Sequence, residues 1–316
     1  MSRPRYPDGP SHNWTLEEQY ARCRLHEIGE KRLIQILTRH WKQDRGVLRA
    51  LEEDCAVFRG LPDQGFWLLK IESVVEGVHF TKGTPFFLVG RKALARALSD
   101  LAAMGAIPRY AMVALAASPR LSLFALQRLY EGMERLAKAY RLFFVGGETV
   151  RSDALLITVS LLGHTPGYRP VLRCGARPGD SLFVTGELGG SFPTKHLVFE
   201  PRLREGQWLA QNRLARAMID LSDGLASDLS QLARASGVSF ELDFSKIPRR
   251  PGISLSQALQ DGEDYELLFA VAPAKVSQLQ KQWPFRTKLT CIGLCHPADP
   301  KASQTLDAFH GFDHFA

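Results

Sequence analysis

Acidic side chains recur at the edges of apolar runs, beside glycines and turns. They are Glu53 and Asp54, Glu72, Asp100, Glu148 after Gly146-Gly147, Asp220 and Asp223, and the cluster Glu263, Asp264 and Glu266. A carboxylate in an apolar setting costs free energy unless a cation or hydrogen-bond donors compensate it. Asp100 is the sharpest instance, because it interrupts residues 93–104, a stretch dominated by Ala and Leu. Asp220 is likewise flanked by Ile219 and Leu221. Carboxylates brought together from several loops suit magnesium, which takes oxygen ligands and leaves positions for water and substrate phosphates. Such a site neutralises polyphosphate, and phosphoryl transfer needs positioning and neutralisation more than a covalent nucleophile.

Each motif also has a plainer reading. Arg96, four residues before Asp100, offers an i,i+4 ion pair. Ser222-Asp223-Gly224 suits a cap for a helix starting at Leu225. Gly146-Gly147 suits a tight turn, and Asp264 and Glu266 read equally as solvated carboxylates. Arg151 and Arg173 present guanidinium forks fit for phosphate, although surface arginines are common. His79 in Glu76-Gly-Val-His-Phe80 follows a strand alternation and reads as a structural histidine. Phe309, Phe312 and Phe315 serve either as a stacking surface or as core.

The elements that must position these groups follow from periodicity. Helices are expected within residues 14–43 and over 88–104, 123–139, 205–218, 225–235 and 274–283. Strands are expected over 66–71, 74–80, 110–116, 142–145, 155–162, 181–185, 240–244, 265–271 and 289–292. The Pro- and Gly-rich stretch 163–180 marks a domain boundary. Both halves then read as α/β, with crossovers too irregular for a doubly wound nucleotide fold. No GxGxxG lies between strand and helix, and no Gly-rich loop ends in Lys-Ser/Thr, so phosphate would be bound by another device.

Composition narrows the class. The 316 residues are 45% hydrophobic and 23% charged, which is the balance of a folded, soluble protein. No apolar run approaches the length that crosses a bilayer, and residues 1–10 lack the apolar core of a secretory signal. Five scattered cysteines fit free thiols in a reducing cytoplasm better than a disulfide framework. The net charge of +7 is spread along the chain without a nucleic-acid reader motif, so neither nucleic acid nor membrane is an expected partner.

In their order along the chain, these motifs resemble thiamine-monophosphate kinase. The matching stretches are Glu53-Asp54-Cys55-Ala56-Val57, Ser73-Val-Val-Glu-Gly-Val-His-Phe80 and Leu98-Ser-Asp-Leu-Ala-Ala-Met-Gly-Ala106. Val145-Gly-Gly-Glu-Thr149, Arg173-Cys-Gly-Ala-Arg-Pro-Gly-Asp180, Val184-Thr-Gly186, Ile219-Asp-Leu-Ser-Asp-Gly-Leu-Ala-Ser-Asp-Leu229, Gly262-Glu-Asp-Tyr-Glu-Leu-Leu-Phe269 and Gly311-Phe-Asp-His-Phe315 complete the set. The resemblance implies a two-domain α/β (α+β) fold like that of aminoimidazole-ribonucleotide synthetase. Residues 26–165 would bind ATP and Mg²⁺ and form a homodimer through β-sheets; residues 166–316 would complete the site, and residues 1–25 would be an extension.

It implies ATP-dependent phosphorylation of thiamine monophosphate to the diphosphate by in-line transfer. Glu53, Asp54, Glu72, Ser73, Asp100, Glu148, Asp220 and Asp223 would take metal-ligand places. Asp54, Asp100, Asp220, Asp223 and Arg151 would serve catalysis. Gly147, Glu148, Arg151 and Ser222 would bind nucleotide, and His79, Glu263 and Phe312 the substrate. The alternatives are another ATP-using enzyme of that superfamily or a non-catalytic nucleotide-binding descendant. Glu53, Glu72 and Glu148 stand where the family has Asp, and Ala97 where it has Asn. The three exchanges keep charge while lengthening each arm by one methylene.

Overall fold

The alternating patterns resolve into two sheets that share one buried helix. The computed structural model describes residues 30–38, 46–49, 53–60, 65–192 and 194–299. Helix α1 (Glu30–Thr38) belongs to a small unit of its own and is the described part of the helix expected within residues 14–43. All other described elements fall within a second unit, residues 44–312. Among the described residues no helix is long and apolar enough to cross a membrane.

The first half contains β1 (Val47–Arg49), β2 (Ala56–Arg59), β3 (Phe66–Val75) and α2 (Phe86–Ala103). It continues with β4 (Ile107–Ala117), α3 (Leu123–Ala139), β5 (Phe143–Arg151) and β6 (Leu156–Thr165). These strands form one sheet in the order β1-β2-β3-β6-β4-β5. Only β4 and β5 run parallel, joined by α3 as a crossover. Residues alternate across the sheet: Ile157, Val159 and Leu161 of β6 turn inward to the apolar core. Helices α2 and α3 touch backbone to backbone, since a Cβ at Gly90 would lie 1.9 Å from the Leu129 carbonyl oxygen. The reciprocal contact is a Cβ at Gly132, 1.9 Å from that of Phe87. The sheet's other face leaves Leu69, Ile71, Tyr110, Met112, Phe143 and Val145 exposed.

The second half contains β7 (Ser181–Thr185), α4 (Lys195–Val198), α5 (Leu203–Gln211), β8 (Ala215–Asp220) and α6 (Leu225–Ser236). Then come β9 (Val238–Leu242), α7 (Leu255–Gln260), β10 (Leu267–Val271), α8 (Pro273–Gln282) and β11 (Leu289–Pro297). The sheet order is β8-β10-β7-β11-β9, antiparallel throughout. Leu182, Ile219 and Leu268 share a core with Leu229 of α6 and Leu259 of α7. Phe183, Met218 and Phe269 share another with Leu94, Leu98 and Leu101 of α2. Both faces of β10 are therefore buried, and so is α2 on nearly every side. Each fully buried Leu on α2 contributes about 1.5–3 kcal/mol, which offsets the cost of the charged residues the helix carries.

Three expectations are corrected. The helix predicted over 205–218 ends at Gln211, and the chain turns through Arg213 with φ of 53° into strand β8. The runs 66–71 and 74–80 are one continuous strand, β3, that stops at Val75. Tyr265 has φ of 51°, so the strand expected from 265 starts at Leu267.

Candidate active site

Three carboxylates converge from separate elements. Asp54 lies in the turn before β2, Asp100 in the last third of α2, and Asp220 at the end of β8. One oxygen from each lies within 4.8 Å of the others. Their exposures are 2%, 7% and 4%, so water screens them little. Each is held by a different partner. The Arg173 guanidinium pairs with Asp54 Oδ1 at 2.5 Å, Lys70 with Asp100 at 2.7 Å, and Ser99 Oγ donates to Asp220 Oδ2 at 2.6 Å.

Two further carboxylates share these cations. Glu72 pairs with Lys70 at 2.9 Å and with Arg96 at 3.2 Å, while Glu53 Oε2 accepts the Arg173 backbone N–H at 2.7 Å. Arg96 therefore serves Glu72 and the Ser73 carbonyl, and the i,i+4 pairing with Asp100 expected from sequence gives way to Lys70. Burial, and then the charge of Asp54, pushes Asp220 up to about 7. Burial also raises Asp100 well above the carboxylate range, against the pull of Lys70.

The donor set fits a divalent cation such as Mg²⁺. Asp54 Oδ2 is buried with no hydrogen-bond partner among the described residues, an arrangement that costs about 1–3 kcal/mol or more for a charged group. Asp220 has a neutral donor, Ser99, as its hydrogen-bond partner. All three ligating groups are oxygens, the preference of a hard ion.

The second cluster lies on loop 261–266. Glu263 Oε2 meets Lys92 Nζ at 2.6 Å and His196 Nδ1 at 3.0 Å, and these neighbours hold its carboxyl down at about 2 against its burial. His79 is buried, its Nδ1 accepting the Val75 N–H at 3.1 Å. The loop is zipped to residues 219–224: Glu263 N donates to the Ser222 carbonyl at 2.7 Å, and Tyr265 N to that of Leu221 at 2.8 Å. Asp223 N donates to Asp228 Oδ2 at 3.1 Å, and Ser222 Oγ lies 3.5 Å from Asp223 Oδ1. Asp264 and Glu266, which the sequence alone reads equally as solvated carboxylates, are both buried. Arg250 meets Asp264 at 2.8 Å, and Arg202 grips Glu266 through two bonds of 2.6 and 2.7 Å.

Other predicted residues lie outside the triad. Glu148 and Arg151 are exposed on β5, where Glu148 accepts the Thr149 N–H at 2.7 Å. A Cβ at Gly147 would come within 2.0 Å of the Val113 carbonyl oxygen, so strand contact demands glycine there. Ser73 shares a 2.8 Å hydrogen bond with Thr158 across β3 and β6. By strand alternation its side chain takes the face opposite Lys70 and Glu72. Phe312 lies outside the described residues. Sequence reasoning passed over Lys70, Lys92, Asp228 and His196. The first two carry a signal, since each interrupts a segment that is otherwise largely apolar.

Residues 52–165 match the family described as AIR synthase related protein, N-terminal domain, and residues 193–283 match the corresponding C-terminal domain. The fold and the buried acidic cluster thus define a two-domain, AIR-synthase-related α/β protein. A thiamine-monophosphate kinase of Rhodopirellula baltica is 37% identical over 221 residues, covering 66% of this chain and 69% of that one. The thiamine-monophosphate kinase of Escherichia coli K12 is 33% identical over 302 residues, covering 84% and 91%. A solved structure of AaThiL complexed with AMPPCP and TMP superposes with a TM-score of 0.78 at 28% identity, covering 92% of this chain and 99% of its own. The chain belongs to the thiamine-monophosphate kinase family.

Proposed function

We propose that the chain transfers the γ-phosphoryl group of ATP to the phosphate of thiamine monophosphate, yielding thiamine diphosphate and ADP. The observation that carries this reading is the convergence of Asp54, Asp100 and Asp220 within 4.8 Å, in a member of this kinase family. The likeness to AaThiL complexed with AMPPCP and TMP supports the choice of both substrates.

Asp54, Asp100 and Asp220 would hold Mg²⁺, with Glu53, Glu72, Asp223 and Glu148 as further acidic groups around the nucleotide. When bound, the cation supplies neutralisation of the phosphate charges that would otherwise repel. The chain's own part is positioning. Lys70, Arg173 and Ser99 fix the carboxylates before substrates arrive. Gly147 and Ser222 would lie beside the nucleotide, where Arg151 offers a fork of donors to phosphate. His79 and Glu263 would stand at the acceptor end. The attacking phosphate oxygen is already ionised at neutral pH, so no side chain has to remove a proton.

A homodimer through the first sheet is part of the reading. Leu69, Ile71, Tyr110, Met112, Phe143 and Val145 form an exposed apolar set on one face of neighbouring strands, the kind of surface a second copy covers. Residues 26–165 would carry that interface and the nucleotide, and residues 166–316 would complete the acceptor site. A cytoplasmic setting supplies both substrates. The test supplies ATP, Mg²⁺ and thiamine monophosphate and separates the products by chromatography. Thiamine diphosphate is expected; none above background, with a proven kinase active in parallel, overturns the reading.

A further inference from the structure

Lys92 lies in the second turn of α2 with its side chain wholly out of water, and the transfer chemistry above makes no use of it. A buried ammonium is costly unless hydrogen-bond acceptors and an opposite charge compensate it. Nζ donates to the His79 carbonyl at 2.5 Å and to Glu263 Oε2 at 2.6 Å, and lies 2.7 Å from His196 Nδ1. Phe192 closes over the group, stacked on the His196 ring at 3.9 Å and 5.5 Å from Nζ.

The residue held in this way is under backbone strain. Glu263 has φ of 52° and Tyr265 φ of 51°, left-handed values that non-glycine residues adopt at a cost of about 1 kcal/mol or more each. Gly262, at φ of 68°, opens the turn without that cost. Backbone hydrogen bonds tie the loop to residues 219–224 on one side. Lys92 ties it to α2 on the other. Lys92, Arg96, Ser99 and Asp100 stand at i, i+4, i+7 and i+8, so one helix face carries them all. At 1.5 Å per residue, Lys92 and Asp100 are about 12 Å apart along the axis.

We propose that Lys92 is a positioning residue for the phosphate-acceptor substrate. It holds the Glu263 carboxylate and its strained loop at a fixed distance from the carboxylate cluster, with the His79 carbonyl as its other anchor. The role rests on the phosphotransfer reading and goes beyond it by naming what sets the acceptor end of the site. Arg96 and Tyr265 are the other groups near the same carboxylate; Tyr265 donates to Oε1 at 3.3 Å.

Steady-state kinetics on Lys92→Met test this. The KM for thiamine monophosphate should rise about tenfold, while the KM for ATP stays within about twofold. Lys92→Arg, which keeps the charge, should recover part of the loss. An equal loss toward both substrates, or an unmoved KM for thiamine monophosphate, overturns the role. Removing one partner of a buried pair can prevent folding, so Lys92→Met/Glu263→Gln is compared with Glu263→Gln alone. Acting through Glu263, the lysine change adds less than about twofold in that background; a further rise of about tenfold overturns the proposal. Wild-type protein run beside them separates the two readings. No thiamine diphosphate from wild type overturns the phosphotransfer reading, whereas active wild type with unaltered variants overturns the lysine's role alone.

Discussion

Replacing Asp220 with Asn should abolish turnover and, in the absence of metal, make the protein more stable. Asp220 is 4% exposed, lies within 4.8 Å of Asp54 and Asp100, and is pushed up from 3.8 to about 7 by burial and by Asp54. The folded protein therefore keeps a proton on this group between about pH 4 and about 7 that the unfolded chain releases. Stability linked to that proton is intact below about pH 4 and is lost as pH rises through about 7. Three pH units correspond to about 4 kcal/mol. Asn carries no charge, and its carbonyl oxygen still accepts the Ser99 hydroxyl, so a gain of about 2–4 kcal/mol is expected near pH 8. In a chain of this length that moves the melting temperature up by roughly 3–6 °C.

The assay is thermal melting of both proteins with EDTA or millimolar Mg²⁺, at about pH 5 and about pH 8. In EDTA the variant should melt higher at the alkaline pH, and the gap should shrink at the acid one. Magnesium should raise the melting point of wild type more than that of the variant. A variant that melts below wild type in EDTA near pH 8, or a gap indifferent to pH, would refute the account of the cluster as a pre-strained cation site.

Asp100→Asn should lower the rate of thiamine diphosphate formation by about 10³-fold or more with an unchanged circular dichroism spectrum, because the carboxylate facing Lys70 is lost from the cluster. A rate near wild type removes Asp100 from the site. Gly90→Ala forces a Cβ to within 1.9 Å of the Leu129 carbonyl oxygen, and chemical denaturation should register a loss of about 2 kcal/mol. In the proposed homodimer, Met112→Glu places a charge on the exposed sheet face, and light scattering should show the mass fall from two chains to one. A dimer that survives this change locates the interface elsewhere.

Asp100 was legible in the sequence because a carboxylate in an apolar helix violates the local pattern; α3 was read to the residue because its helical period is clean, and β7 because it is a short apolar run closed by Asp180 and Gly186. The partners were not legible. Arg173 reads as a free fork for phosphate, yet it spends its charge on Asp54, 119 positions earlier in the chain. Such pairing depends on how the turn before β2 meets the loop before β7, which local periodicity does not encode. The boundary between α5 and β8 escaped for a different reason. Gln211-Asn212-Arg213 contains neither Gly nor Pro, so the turn at Arg213 carries no punctuation and the apolar residues on both sides mimic a continuous helical stripe. Asp264 and Glu266 resemble solvated residues until the guanidinium groups of Arg250 and Arg202 are seen to enclose them.

Helix α2 is a rod clamped along its length, and its polar row has no slack. One residue inserted between Lys92 and Asp100 would swing one end of the row by about 100° into packed leucines. On the proposed reading the rod is a fixed gauge between the two ends of the reaction centre. Diversification toward a bulkier or smaller acceptor has to occur in the walls that meet it, above all residues 194–196 and 261–266, and relatives with changed substrate size should show their lengths varying there while the gauge stays constant.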